Sequence, residues 1–260
     1  MDDKWRAAIV DLAALPATPR GVYRGPLTPS QCADGINAAR ANARRLCAAA
    51  HVVLSSGHAA AATQLCIVAV EEAGKEEWLR DLLIAQTNQD VRRAWSALRR
   101  HQMKNSRLFG PLVADAGGSV LDLIRVKADP QLAQFVEDLK QRVTYTDCVA
   151  GIAWTYPERA VSREATVRLL DAAERLINEG DVDVQELEII RDFERRRNAA
   201  SSDEERRTIY LEGQQELRRR GFNALLEEEV REILSDRRGG LRGVGCKRLQ
   251  QPPGSKVHYS

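Results

Sequence analysis

Two long segments of helical periodicity, residues 29–56 and 58–85, constrain the fold of this chain most strongly. The first begins with TPSQ at 28–31, which supplies a capping threonine, a first-turn proline and a glutamine three residues after the threonine. Only SSG at 55–57 separates the two segments, and helices joined by so short a connection pack as antiparallel neighbours. The sequence therefore predicts a pair of long antiparallel helices.

The rest of the chain also has helical periodicity. The further predicted helices, in chain order, are 90–108, 130–152, 163–179, 183–199 and 203–234. Many Ala, Leu, Glu and Arg residues with only 5% aromatic residues are typical of an all-α protein. We expect four parts: an N-terminal segment (1–27), a helical domain (28–180), a charged helical extension (181–236) and a basic, disordered tail (237–260).

Composition argues against several classes of protein. The five cysteines are scattered, without a CxxC pair, and there are only four histidines, so neither a disulfide framework nor a zinc site is indicated. The longest apolar run, LCIVAV, is far shorter than the ~20 residues of a membrane span, and the N-terminus is too acidic for a signal peptide. We expect a cytoplasmic protein with no membrane contact, no metal and no cofactor.

Arginine is concentrated in the extension, in RDFERRRN and ELRRRGF. Its dense charge of both signs predicts a solvated helical hairpin, and the alternative is a surface that contacts phosphate. The net charge of the whole chain, +2, does not indicate nucleic-acid binding.

The segment AVEEAGKEEW, residues 69–78, brings charge into an apolar helix. Steps of four and three residues place Glu72 and Lys75 on the stripe that carries the leucines. An alternative stripe on the same helix, the rival stripe, contains the charged residues Glu76 and Arg80 and is therefore less apolar. We therefore expect Glu72 and Lys75 to be buried neighbours, Glu71 to border them, and Glu76 and Glu77 to be solvated.

A second polar interruption lies on the third predicted helix, at His101 and Lys104. In an antiparallel hairpin about residue 87, these residues lie level with Glu72 and Lys75. A buried salt-bridge cluster that fixes helix register is one interpretation, and a catalytic or ligand site is the other. In the catalytic version His101 acts as general base or acid, the lysines hold a phosphate, and Glu72 and Glu71 orient them. That set suits metal-independent RNA cleavage.

EExGK at 71–75, HxxK at 101–104 and a later segment, LKQRVTYTDCVAGIAWTYPERAVSREA, occur in this order. In these motifs and in residues 41–75, the chain resembles the AbiV family of abortive infection proteins, over about 28–180. The resemblance implies a HEPN-like antiparallel helical bundle, here with an additional charged C-terminal helical hairpin. It also implies anti-phage defence that shuts down the infected cell, and a homodimer with a composite site. Implied partners are RNA and a phage-encoded protein that triggers or inhibits the effector.

The sequence departs from the HEPN nucleases in one respect. Those enzymes carry an arginine, then four to six intervening residues, then a histidine, but residues 94–97 ahead of His101 are Ala, Trp, Ser and Ala. Arg44 and Arg45 precede His51 with such a spacing, which makes them an alternative set or a coincidence. An endoribonuclease is therefore one hypothesis. A non-catalytic HEPN-like protein that binds a phage protein or the translation machinery is the other.

Supporting residues have alternative roles too. Asn42 lies beside the stripe of the first helix and either reaches the cluster or faces solvent. Arg142, Tyr145 and Asp147 belong to the resembling segment and are predicted on the fourth long helix, where Arg142 and Tyr145 share a face and Asp147 does not. They either fasten this helix to its neighbours or line the site. Trp95 is interpreted as a core residue rather than a surface for base stacking.

Overall fold

The computed structural model describes residues 23–99, 117, 130–149, 153–177, 180–222, 224–225 and 229–230. These residues form seven α-helices and one short β-ribbon. The helices are α1 (Pro29–Ser55), α2 (Ala59–Ile84), α3 (Asn88–Leu98), α4 (Pro130–Thr144), α5 (Arg163–Ile177), α6 (Val184–Ala199) and α7 (Asp203–Arg219). The strands are β1 (Cys148–Val149) and β2 (Ala153–Trp154), followed by a 3-10 turn at Pro157–Arg159. The predicted all-α fold is confirmed.

The predicted start of α1 is also confirmed. The Thr28 side chain accepts a hydrogen bond from the backbone N–H of Gln31, and the Gln31 side chain accepts one from the backbone N–H of Thr28. Gly57, at φ +90°, turns the chain between α1 and α2. Small buried residues then let the two helices pack along their length: Ala39, Ala43, Cys47 and Ala50 from α1, with Ala62, Cys66, Ala69 and Ala73 from α2.

Helix α2 is the central element of the described bundle, because it packs against α1, α3, α4, α5 and α6. One apolar cluster joins α1 and α2 to α4 and α5. The other joins α1 and α2 to α3 and to the C-terminal helices α6 and α7. Leu187, Phe193, Tyr210 and Leu217 bring the predicted charged extension into this second cluster. The extension therefore shares a hydrophobic core with the preceding helices.

Two predicted helices end earlier in the structure, and a third is described only in part. The helix predicted over 90–108 is α3 as far as Leu98, and the rest of that prediction lies outside the described residues. The helix predicted over 130–152 ends at Thr144, whose hydroxyl donates to Lys140 O at 2.6 Å, and the next residues favour extended backbone. The helix predicted over 203–234 ends at Arg219, before Gly221 at φ +81°.

The β-ribbon replaces the end of the predicted fourth long helix. Cys148 pairs with Trp154 and Val149 with Ala153 in an antiparallel register. Thr155 N donates to Asp147 O at 2.8 Å, which extends the pairing by one residue on each side. Among the described helices, none combines the length and the apolar character needed to cross a membrane.

Candidate functional site

Glu72 and Lys75 are neighbours, as predicted, and they form an ion pair. Lys75 Nζ lies 2.6 Å from Glu72 Oε1, one turn apart on α2. Their burial is not as predicted, since the Lys75 side chain is 31% exposed and the Glu72 side chain 17% exposed. The pair therefore lies at the margin of the bundle, within reach of solvent.

Glu71 is the more deeply buried member of this region, which corrects the prediction that it only borders the stripe. Its carboxylate accepts a hydrogen bond from Lys140 Nζ at 2.8 Å, and its side chain is only 4% exposed. Lys140 comes from α4, and this residue was missed by the sequence interpretation. A lone lysine on an amphipathic helix gives no signal until its partner across the helix interface is known.

Glu76 is also buried, although it was expected to be solvated. It accepts from Arg40 Nη2 at 2.8 Å and from Arg80 Nε at 3.0 Å. Arg80 Nη2 also donates to Glu186 Oε1 of α6 at 2.7 Å. We call Arg40, Glu76, Arg80 and Glu186 the buried ion network. It joins α1, α2 and α6 through two cations and two anions, so its formal charges balance.

The wrong register has a physical reason. An apolar stripe identifies the buried face only when a helix buries one face, but α2 is covered by five other helices. The rival stripe that meets Glu76 and Arg80 is in fact buried, and its charges are neutralised by partners from α1 and α6. The preferred stripe is buried near Leu79 and Leu82 and partly exposed at Glu72.

Two of the four predicted catalytic residues, His101 and Lys104, lie outside the described residues. The predicted packing of α2 and α3 is supported up to that point, because Leu79, Leu82 and Val91 share one apolar cluster. Trp95 packs against the same cluster, and its indole N–H donates to Gly25 O at 3.0 Å. Its partly buried position agrees with the interpretation as a core residue.

The alternative set on α1 does not form one constellation. His51 Nε2 lies 2.6 Å from Glu174 Oε1 of α5, whereas Arg44 Nη2 lies 3.3 Å from Asp181 Oδ1. Arg45 donates to the amide oxygen of Asn42 at 3.2 Å. These are surface pairs with separate partners. Asn42 is thus engaged with its own helix and makes no described contact with Glu72 or Lys75.

The supporting residues after α4 are placed differently from their prediction. Arg142 is exposed on α4, while Tyr145, 60% exposed, and Asp147 follow the end of that helix. The Asp147 carboxylate accepts from Cys148 N at 2.7 Å, and its backbone N–H donates to Thr155 Oγ1 at 2.8 Å. Asp147 thus organises the β-ribbon and does not fasten α4 to a neighbouring helix.

Burial and charge shift several pKa values. Burial lowers the pKa of Arg80, but Glu76 and Glu186 raise it by more, so the guanidinium stays charged. Burial and the nearby Glu77 raise the pKa of Asp81 to about 7, against a smaller opposing effect of Arg93.

The four described cysteines are free. Burial raises the pKa of Cys47 to about 11 and that of Cys32 to about 12, which makes these thiols unreactive. In the described part of the chain, His, Cys, Asp and Glu side chains form no group of three or more that is arranged to hold a metal ion.

The AbiV family model of HEPN domains matches residues 31–178, more than half of the chain. The chain belongs to the AbiV family. This membership implies a defence role of the abortive-infection type. No curated protein and no solved structure matches the chain.

The matched AbiV region contains α1 to α5 together with Glu71, Glu72, Lys75 and Lys140. It excludes α6 and α7. The buried ion network therefore crosses the end of the AbiV match, because Glu186 lies beyond it and binds Arg80 within it.

Proposed function

We propose that this AbiV-family protein is an abortive-infection effector that cleaves RNA without a metal ion. His101 removes the proton from a 2′-hydroxyl, and Lys75 and Lys104 stabilise the negative charge that develops on the phosphate. Glu72 holds the Lys75 ammonium until RNA binds. The 2′-oxygen attacks the phosphorus and the bond from phosphorus to the 5′-oxygen breaks. The 5′-oxygen takes a proton from water and His101 returns its own proton to solvent, which leaves a 2′,3′-cyclic phosphate and a 5′-hydroxyl.

The observation that carries this proposal is the contrast between the two neighbouring ion pairs of α2. The Glu71 and Lys140 side chains are 4% and 17% exposed, whereas those of Glu72 and Lys75 are 17% and 31% exposed. Ion pairs that reach solvent are weaker than buried ones, and fully exposed pairs are worth only about 1 kcal/mol, so a phosphate displaces Glu72 from Lys75 at a smaller cost than Glu71 from Lys140. A buried pair resists such an exchange, because opening it leaves a desolvated charge. Glu71 and Lys140 therefore position this part of α2, and Lys75 can exchange Glu72 for an anion.

A second candidate is a non-catalytic protein that binds a phage protein or the translation machinery. It is favoured by the residues ahead of His101, which lack the arginine that the resemblance to HEPN nucleases implies. A homodimer with a shared site and a phage-encoded trigger or inhibitor are compatible with both candidates. Sedimentation velocity of the full chain tests the homodimer.

His101→Ala separates the two functions. We expect this variant to fold like the wild type, to lose cleavage of labelled cellular RNA and to lose toxicity on induction. His58→Ala is a matched control, because His58 is an exposed histidine at the start of α2. His51→Ala tests the alternative set of Arg44, Arg45 and His51, and we expect it to remain active.

Lys75→Ala and Lys75→Arg extend the test to the described site. We expect the alanine variant to lose cleavage and the arginine variant to retain part of it, because arginine keeps the positive charge but changes the donor geometry. Retained toxicity in a folded His101→Ala protein would support the binding function. A wild-type protein that cuts no RNA would end the catalytic proposal.

A further inference from the structure

Exposed aromatic side chains are concentrated around the β-ribbon. Tyr145, Trp154 and Tyr156 are 60%, 59% and 52% exposed, although they lie within twelve residues of one another in the chain. Folded chains usually cover most of the area of such rings. Arginine accompanies the rings: Arg159 Cζ lies 5.0 Å from the centre of the Tyr156 ring, and the exposed Arg142 lies three residues before Tyr145. We call these five residues the ribbon platform.

The backbone of the ribbon aligns two of the rings. Trp154 belongs to β2, and the extended backbone continues to Tyr156, at φ −122° and ψ 118°. Residues two apart on an extended strand point to the same side, with a spacing of about 7 Å. Trp154 and Tyr156 thus present neighbouring rings on one face. Arg159 lies over one side of the Tyr156 ring, and the residue as a whole is still 52% exposed.

The ribbon platform is connected to the candidate site through α4 and the 3-10 turn. Tyr145 follows Lys140 by five residues, and Tyr145 N still donates to Gln141 O in the helical pattern. A helical rise of 1.5 Å per residue puts the two residues about 8 Å apart along the axis of α4. Lys140 binds Glu71, the neighbour of Glu72 in α2. The 3-10 turn that carries Arg159 packs against both α2 and α4.

Aromatic rings accompanied by guanidinium groups are the chemistry that binds single-stranded nucleic acid, with bases stacked on rings and cations near phosphates. A second copy of the chain is a weaker fit. Three rings slightly more than half exposed offer at most about 400 Å² if a whole aromatic side chain buries 150–250 Å². A stable protein interface needs about 800 Å² on each partner.

We propose that the ribbon platform binds single-stranded RNA by stacking bases on Trp154 and Tyr156, and delivers the strand to the pair of Glu72 and Lys75. This inference rests on the proposed function for its substrate. It adds residues that position RNA without taking part in the chemistry.

Binding is measured separately from cleavage, with the full-length protein and a fluorescein-labelled single strand of about 12 nucleotides, a length within the range that such sites cover. All of its riboses are 2′-O-methylated, so the strand lacks the nucleophile of the proposed reaction. For the Trp154→Ala/Tyr156→Ala double variant we expect the Kd from fluorescence anisotropy to rise about tenfold or more. Arg159→Gln, which keeps both rings, should weaken binding severalfold and lower its salt dependence.

Val52→Ala and Arg92→Gln are matched controls, because Val52 is an exposed apolar residue on α1 and Arg92 is an exposed arginine on α3. Both should bind like the wild type. Circular dichroism checks that every variant is folded.

The outcomes distinguish the proposed RNA cleavage from the proposed RNA binding by the ribbon platform. Binding without cleavage by the wild type would refute the proposed function and leave the ribbon platform intact. The platform is refuted if the wild type does not bind the strand, or if the double variant binds or cuts RNA as well as the wild type. A double variant that changes the sedimentation coefficient but not RNA binding would also overturn it, in favour of a protein interface.

Discussion

Replacing Glu76 by glutamine tests the buried ion network directly. The Glu76 carboxylate accepts from Arg40 Nη2 at 2.8 Å, from Arg40 Nε at 3.2 Å and from Arg80 Nε at 3.0 Å. The side chains of Arg40 and Glu76 are each 4% exposed, and that of Arg80 is 7% exposed. Glu76→Gln removes the carboxylate that Arg40 and Arg80 share, and leaves Glu186 as the acidic partner of Arg80. Breaking a buried pair in this way costs about 3–5 kcal/mol.

Glu72→Gln is the matched control, because Glu72 lies one turn earlier on the same helix and also pairs with a basic residue. Its pair is partly exposed, so we expect a loss of less than about 1 kcal/mol. Urea denaturation followed by circular dichroism measures both losses. Unchanged m-values would show that each loss comes from the folded state. The corresponding fall in Tm for Glu76→Gln is roughly 6–20 °C, at about 2–4 °C per kcal/mol.

The double variant Arg80→Met/Glu186→Leu extends the test. It removes one cation and one anion and leaves Arg40 paired with Glu76, so we expect it to be more stable than Glu186→Leu alone. Equal losses for Glu76→Gln and Glu72→Gln, within about 0.5 kcal/mol, would refute the assignment of the buried face. A larger loss for Glu72→Gln would restore the register predicted from the sequence.

Three further predictions concern other contacts of the bundle. Asp81 has its pKa raised to about 7, so the folded state binds this proton more tightly than the unfolded chain, and stability falls as the pH rises from about 4 to 7. Asp81→Asn should remove this slope and stabilise the protein by up to about 4 kcal/mol at pH 8, and by much less at pH 4.5, as measured by urea denaturation. Lys140→Met removes the ammonium group that binds the buried Glu71 carboxylate and should lower the free energy of unfolding by up to about 3 kcal/mol, most of which Lys140→Met/Glu71→Leu should restore. Gly213→Ala places a methyl group against the Phe193 ring between α6 and α7 and should lower the free energy of unfolding by about 1–3 kcal/mol. A stability within about 0.5 kcal/mol of the wild type would contradict that close approach.

The parts of the fold that follow from local chemistry were predictable from the sequence. The cap at Thr28 acts within three residues of the chain. Ser162 precedes α5 and acts over the same distance, because its Oγ accepts a hydrogen bond from Ala165 N at 3.1 Å. The turn at Gly57 needs only a residue that tolerates positive φ. The predicted ends of helices that lack such local signals were less accurate. The segment after Thr144 continues a helical pattern in the sequence but forms a ribbon, because Asp147 and Thr155 provide bonds from outside the helix.

The candidate site was only partly predictable for a different reason. Helical spacing alone makes Glu72 and Lys75 neighbours, so their proximity was predicted correctly. Burial depends on what covers each face of α2, and those partners lie far away in the chain. Lys140 is 69 residues from Glu71, and Glu186 is 106 residues from Arg80. Periodicity within one helix contains no information about either partner.

These distant partners also define the physical unit of the protein. The AbiV match ends at residue 178, yet Arg80 within it takes one of its two acidic partners, Glu186, from α6 beyond that boundary. Leu187, Phe193 and Tyr210 complete the apolar cluster that also holds Leu79 and Leu82. Without α6, α2 would keep a buried arginine with half of its counter-charge and an uncovered apolar face. Since α2 also carries Glu72 and Lys75, the C-terminal helices help to hold the candidate site in place, although none of their described residues contacts it.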